Sequence, residues 1–194
     1  MDRLDRLLDT AGPLLRRVDA ALGDAGAPAE HAVWGALRRV RLLPGDAVRA
    51  VAALRPSDLA EASPELRSTA GSYATLASDL PPPGDWSGTA ADAYDRARLG
   101  VAEHLSTGPE SLESNLRATA DLADDLTAWM QTSRDGVAEA LAEILVSTEA
   151  VALLTDNVDS AAPDLAALLL LAVGDAYDRG MDLLHRSAEL AFTH

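Results

Sequence analysis

PPPGDWSGTAADAYDRA, residues 81–97, separates two helical patterns and decides how the chain is read. Three prolines and a glycine forbid a continuous helix. Trp86 and Gly88 follow one residue apart, and Thr89 with Asp92 three positions on has the form of a helix cap. Upstream, Leu59, Ala62, Leu66, Thr69, Tyr73, Leu76 and Leu80 recur at spacings of three and four, the pattern of a coiled-coil seam. That helix starts near residue 56 or at Ser63-Pro64-Glu65, where proline would take the first helical position. Downstream, Tyr94, Ala97, Val101, Leu105, Leu112, Leu116, Leu122, Leu126 and Met130 continue a helical stripe. Gly108-Pro109 is expected to kink this stripe without ending it. Residues 56–133 therefore read as a helical hairpin whose corner carries a tryptophan.

The flanks read as helices too. In residues 1–55, Leu4, Leu7, Leu8, Ala11, Leu15, Val18 and Leu22 form one stripe, with Gly12-Pro13 predicting a kink or two short helices. A second helix is expected over 30–43, stopped by Pro44-Gly45, and a short third one, capped by Asp46, then runs to about Leu54. In residues 134–194 the expected helices are 134 to about 154 and 164 to about 191, joined by the loop TDNVDSAAPD. The last is apolar nearly all round from Leu165 to Val173, which implies central burial or a partner surface. The fold class is all-α: an elongated helical bundle built on a long antiparallel hairpin with flanking helices. Strong helix formers dominate, and the β-branched and aromatic residues that sheets favour are scarce.

Charge narrows the function. The net charge of −15 and sixteen basic residues, every one arginine, leave no basic stripe for nucleic acid. Arg38, Arg39 and Arg41 read as the solvated face of a short helix. Richness in Ala, Asp, Gly and Arg suggests a GC-rich genome. There is no cysteine, hence no disulfide, thiolate nucleophile or zinc–thiolate site. MDRLDRLLDTAG lacks the apolar core of a signal peptide. The run 166–173 is too short to span a bilayer.

His31, His104, His185 and His194 are far apart in sequence. Asp182 and His185 lie one helical turn apart, one imperfect half of a di-metal bundle pattern. Asp121, Asp124 and Asp125 read as a solvated charge run, and neither GDAGAP nor GDAYDRG has the lysine or strand context of a phosphate loop. No catalytic, cofactor or metal residues are assigned, and the chain is expected not to be an enzyme. Trp34 and Trp129 fall at seam positions that fill core, or Trp129-Met130 forms part of an exposed docking patch.

A turn tryptophan can simply close its own bundle, its N–H reaching a carbonyl or solvent. Gly88 allows either positive φ or close approach of a neighbour. Helix, Trp86-Ser87-Gly88, then the alanine-rich TAADAYDRA also resembles the WXG100 (ESX-like) proteins of type VII secretion, over residues 56–133. The resemblance implies helical hairpins that pair as homo- or heterodimers. It implies a non-enzymatic substrate, leader domain or adaptor of an actinobacterium-like host, made in the cytoplasm and exported without a cleaved signal peptide. The partner would be another WXG-like protein or a copy of itself, with a secretion ATPase or chaperone behind it. Trp86, Gly88, Tyr94, Trp129 and Met130 would form the interaction surface. The usual Tyr-x-x-x-Asp/Glu signal is missing: Ala77, Arg98 and Met181 stand four residues after Tyr73, Tyr94 and Tyr177. The sequence leaves open which protein carries that signal, a partner being one place for it. The other reading is a cytoplasmic scaffold or regulator in which W-x-G is coincidental.

Overall fold

A computed structural model describes residues 2–155 and 159–192; Asn157 and its neighbours in the TDNVDSAAPD loop, and His194, lie outside them. All regular structure among the described residues is helical. The helices are α1 (Arg3–Asp24), α2 (Val33–Val40), α3 (Pro44–Ala52), α4 (Ala62–Ser78), α5 (Thr89–Ala102), α6 (Leu112–Leu145), α7 (Thr148–Thr155) and α8 (Ala162–Phe192). No helix among them is long and apolar enough to cross a membrane. The chain forms two units: Met1–Pro56 with Ala128–Asp182, and Ser57–Thr127 with Leu183–His194.

The first unit holds the large apolar core. Leu4, Leu14, Leu15 and Val18 of α1, Val48 of α3, Val137, Leu141 and Ile144 of α6, Leu153 of α7, and Leu165, Leu169 and Leu170 of α8 are all buried there. Helix α1 runs unbroken through Pro13, so the alternative of two short helices is overturned. Pro13 lies on the exposed face, while Ala11, Leu14 and Leu15 anchor the turns on either side, so packing offsets the missing hydrogen bond. Helix α2 is shorter than the predicted 30–43: His31 Nδ1 accepts from the Val33 N–H at 3.1 Å, and Arg41 ends the helix at φ 61°.

Asp46 does not cap α3. Leu43 takes the N-cap, and the acceptor comes from α1: Asp19 Oδ1 receives the Gly45 N–H at 3.0 Å. Asp46 pairs with Arg49 instead. The predicted break near residue 134 is absent, because nothing between Leu112 and Leu145 interrupts the helical pattern; α6 ends at Leu145, where Ser147 Oγ caps α7. Of the apolar run in α8, Leu165, Ala166, Leu169 and Leu170 are buried, while Leu168 and Leu171 reach the surface.

The second unit is packed differently. The predicted leucine seam of α4 is not its buried line. Ser63, Ala70 and Ala77 are buried at a spacing of seven, while Leu66 and Tyr73 are only partly covered and Leu76 is exposed. Small residues on the contact line let backbones approach closely and leave the larger side chains flanking. Glu61 is the N-cap of α4, placing Pro64 within its first turn and not at its first position. The Gly108-Pro109 step divides the predicted long helix. A π-helical turn over Glu103–Thr107 follows α5, Gly108 is extended, and the Ser111 hydroxyl accepts the Ser114 N–H at the start of α6. Proline disfavours the helical region for the residue before it, which explains the break.

Candidate functional site

The turn between α4 and α5 is built from its own backbone. Helix α4 stops at Ser78, and Gly84 takes φ +64°. The Trp86 N–H reaches the Pro83 carbonyl at 3.4 Å. Gly88 adopts φ 92°, ψ −173° and is the N-cap of α5. That region is essentially closed to residues with a Cβ, and no atom lies within 4 Å of where one would sit. The glycine therefore serves conformation and not close approach. Thr89 is the first helical residue and its side chain makes no cap, correcting the predicted capping box.

Tyr94, one turn into α5, ties the helix back to the prolines: its hydroxyl donates to the Pro81 carbonyl at 2.9 Å. The ring then supports Trp86, with centroids 5.7 Å apart and planes inclined at 57°, within the geometry aromatic pairs favour. Trp86 remains 66% exposed. The turn thus holds an indole outward on a fixed base. Leu76 on α4 and Leu99 and Val101 on α5 are also exposed, whereas α5 buries only Ala91.

Trp86, Gly88 and Tyr94 share this turn; Trp129 and Met130 belong to the other unit. Met130 is buried and Trp129 partly so. The indole N–H of Trp129 donates to the Ala176 carbonyl at 2.8 Å, and its ring lies where a Cβ on Gly180 would come within 2.9 Å. Trp34 ties down its own loop through the Pro28 carbonyl at 2.9 Å.

The acidic run on α6 is an ion-pair network. Arg67 on α4 bonds both Asp121 and Asp124, and Arg186 bonds Asp125. The Arg67 guanidinium holds the Asp124 carboxyl below its ordinary range. Among the described residues no group of three or more His, Asp or Glu side chains could hold a metal ion.

One cluster was not foreseen in the sequence. Arg134 of α6 is 3% exposed. Its Nε donates to Asp2 at 2.6 Å and Nη2 to Asp5 at 2.8 Å, while Nη1 donates to the Ala52 and Leu54 carbonyls. Asp2 and Asp5 are themselves the reciprocal capping box of α1. The Arg134 hydrogen bond lowers the Asp2 pKa from 3.8 to about 2, and Asp2 in turn raises Arg134. A signal did exist: Met130, Arg134, Val137, Leu141 and Ile144 keep one helical register, so the arginine stands in an apolar line.

The chain matches no protein-family model, no curated protein and no solved structure.

Proposed function

We propose that this protein is a non-enzymatic member of the WXG-like type VII secretion proteins, acting by helix-face pairing. In this reading residues 56–133 are the antiparallel hairpin, and its partner is a second small helical protein of the same kind or another copy of the chain. The observation that carries the reading is the outward indole: Trp86 is fixed by Tyr94 and Gly88 yet two-thirds uncovered. The exposed Leu76, Leu99 and Val101 of α4 and α5 add apolar surface that pairing would cover. Met130, being buried, supports the fold of its own unit in this reading, and the recognition end reduces to Trp86, Gly88 and Tyr94.

Trp86→Ala tests it. With 66% of its surface uncovered, an indole of about 250 Å² has roughly 165 Å² left to bury. At ~25 cal/mol per Å² that surface is worth at most about 4 kcal/mol on pairing, on the order of a thousandfold in Kd. Sedimentation equilibrium, alone and with small helical proteins encoded beside it, should show an assembly that the variant loses while its helical circular dichroism is unchanged. Export into the medium should fall with it, and should stop when the export ATPase is deleted. A chain that pairs and leaves the cell equally well without the indole overturns the proposal.

A further inference from the structure

We infer that the first unit contains a binding site for a small, uncharged aromatic molecule carrying one hydrogen-bonding group, in a cavity between α2, α3, α6 and α8. The cavity has a volume of about 220 Å³. Val51, Val173 and Ala176 form its buried walls, Trp129 a further side, and Leu42 and Tyr177 its exposed mouth. Apolar cavities near 150 Å³ stay dry and admit benzene, so this space suits one substituted ring. Among the described residues no charged one lines it, and an ionised ligand would lose its hydration without a partner.

Ser133 gives the site its polarity. It lines the same cavity, is 1% exposed, and its hydroxyl has no hydrogen-bond partner among the described residues. A helical hydroxyl ordinarily returns to the carbonyl one turn back. Thr119 and Thr127 on α6 do so, donating to the Asn115 and Ala123 carbonyls at 2.8 Å each. A buried hydroxyl left without any partner is costly, and a ligand hydroxyl or carbonyl would remove that cost.

The Trp129 wall is formed in advance, whereas the Ser133 Oγ is closed to solvent and meets a ligand only as the side chains over it shift aside. Trp129 is pinned through Ala176 and packed against Gly180, leaving its ring available to a ligand edge or face. The mouth is set by the connection after α2, where Arg41 takes a left-handed conformation and Leu42 follows it. A wall already in place removes part of the ordering cost of binding.

The experiment is a titration of the full chain with 4-fluorophenol, fluorobenzene and 4-fluorobenzoate, followed by ¹⁹F and amide NMR. Saturable binding of 4-fluorophenol is expected, with shifts at the Ser133 amide and the Trp129 indole N–H. Fluorobenzene should bind about five- to tenfold more weakly, the ratio one net hydrogen bond supplies, and the benzoate not at all. Ser133→Ala should bring 4-fluorophenol down to the affinity of fluorobenzene and leave fluorobenzene unchanged. Ala50→Trp, which fills the cavity from its open side, should abolish both while preserving the Trp129 resonance. The inference is overturned by no saturable binding, by binding that survives Ala50→Trp, or by a Ser133→Ala variant that keeps the preference for the phenol.

Discussion

Replacing Arg134 with methionine separates electrostatics from packing in the first unit. Methionine keeps most of the stem volume and removes every donor. The guanidinium holds four acceptors, two on the capping box of α1 and two at the end of α3. Breaking a buried charge pair costs about 3–5 kcal/mol when the other partner stays buried. Here Asp2 and Asp5 are each about a third exposed and can rehydrate, and Arg55 still reaches the Ala52 carbonyl. The expected loss is therefore near the lower bound, about 3 kcal/mol, or roughly 6–12 °C in Tm for a chain of this size. Acid carries the same information. The folded pKa of Asp2 is about 2 against an ordinary 3.8. Its contribution is thus complete above 3.8 and disappears as pH falls through about 2. The shift alone would be worth about 2.4 kcal/mol, and screening of a side chain 38% exposed cuts this to roughly 1. Urea unfolding followed at 222 nm, at pH 7 and pH 2, should show the wild-type advantage over Arg134→Met narrowing in acid. A loss below about 1 kcal/mol at pH 7, or an equal loss at both pH values, would refute the reasoning.

Three further outcomes can be checked by the same unfolding measurement. Gly88→Ala should destabilise by about 1–3 kcal/mol purely through backbone strain, since φ 92° with ψ −173° excludes a Cβ and the surrounding space is open. Gly136→Ala should stabilise by about 0.5–1 kcal/mol, because its methyl meets nothing within 4 Å on α6; Gly180→Ala should lack that gain, its methyl pressing on the Trp129 ring. Asp19 is held above its ordinary pKa chiefly by burial, so the fold loses stability as pH rises through that raised value and the half-buried carboxyl ionises. Asp19→Asn keeps an acceptor for Gly45 and should match or exceed wild type at pH 7, whereas Asp19→Leu should fall below both.

The all-helical class was legible because the apolar spacing is helical in every segment and strand formers are rare. The corner at Trp86 was legible because prolines and glycines punctuate it. Boundaries failed where tertiary contacts decide. Pro13 is tolerated because α1 packs on both sides of it, and α3 borrows its cap from Asp19, 26 residues upstream of Gly45. The α4 seam was misplaced because leucines weigh more than alanines in a pattern, whereas close approach of helices selects the alanines. Whether a given tryptophan faces outward is a property of the assembled turn. Trp86 stands in a Pro/Gly turn and Trp129 within a long helix, but only the assembled contacts show that one is propped up by Tyr94 and the other sealed against Gly180.

The first unit is discontinuous in sequence, and this governs how the chain emerges from the ribosome. Residues 1–56 pack α1 on α3 by themselves but must wait for 128–182 before their apolar face is fully covered. At about 5–20 residues per second, translating the 126 residues between positions 56 and 182 takes roughly 6–25 s. Throughout that interval Leu4, Leu14, Leu15 and Val18 have α3 beside them but lack the core residues of α6, α7 and α8 that complete their burial in the finished protein. Nascent α1 should consequently engage ribosome-associated holdases, and truncation after residue 127 should yield a fragment that aggregates through its first 56 residues.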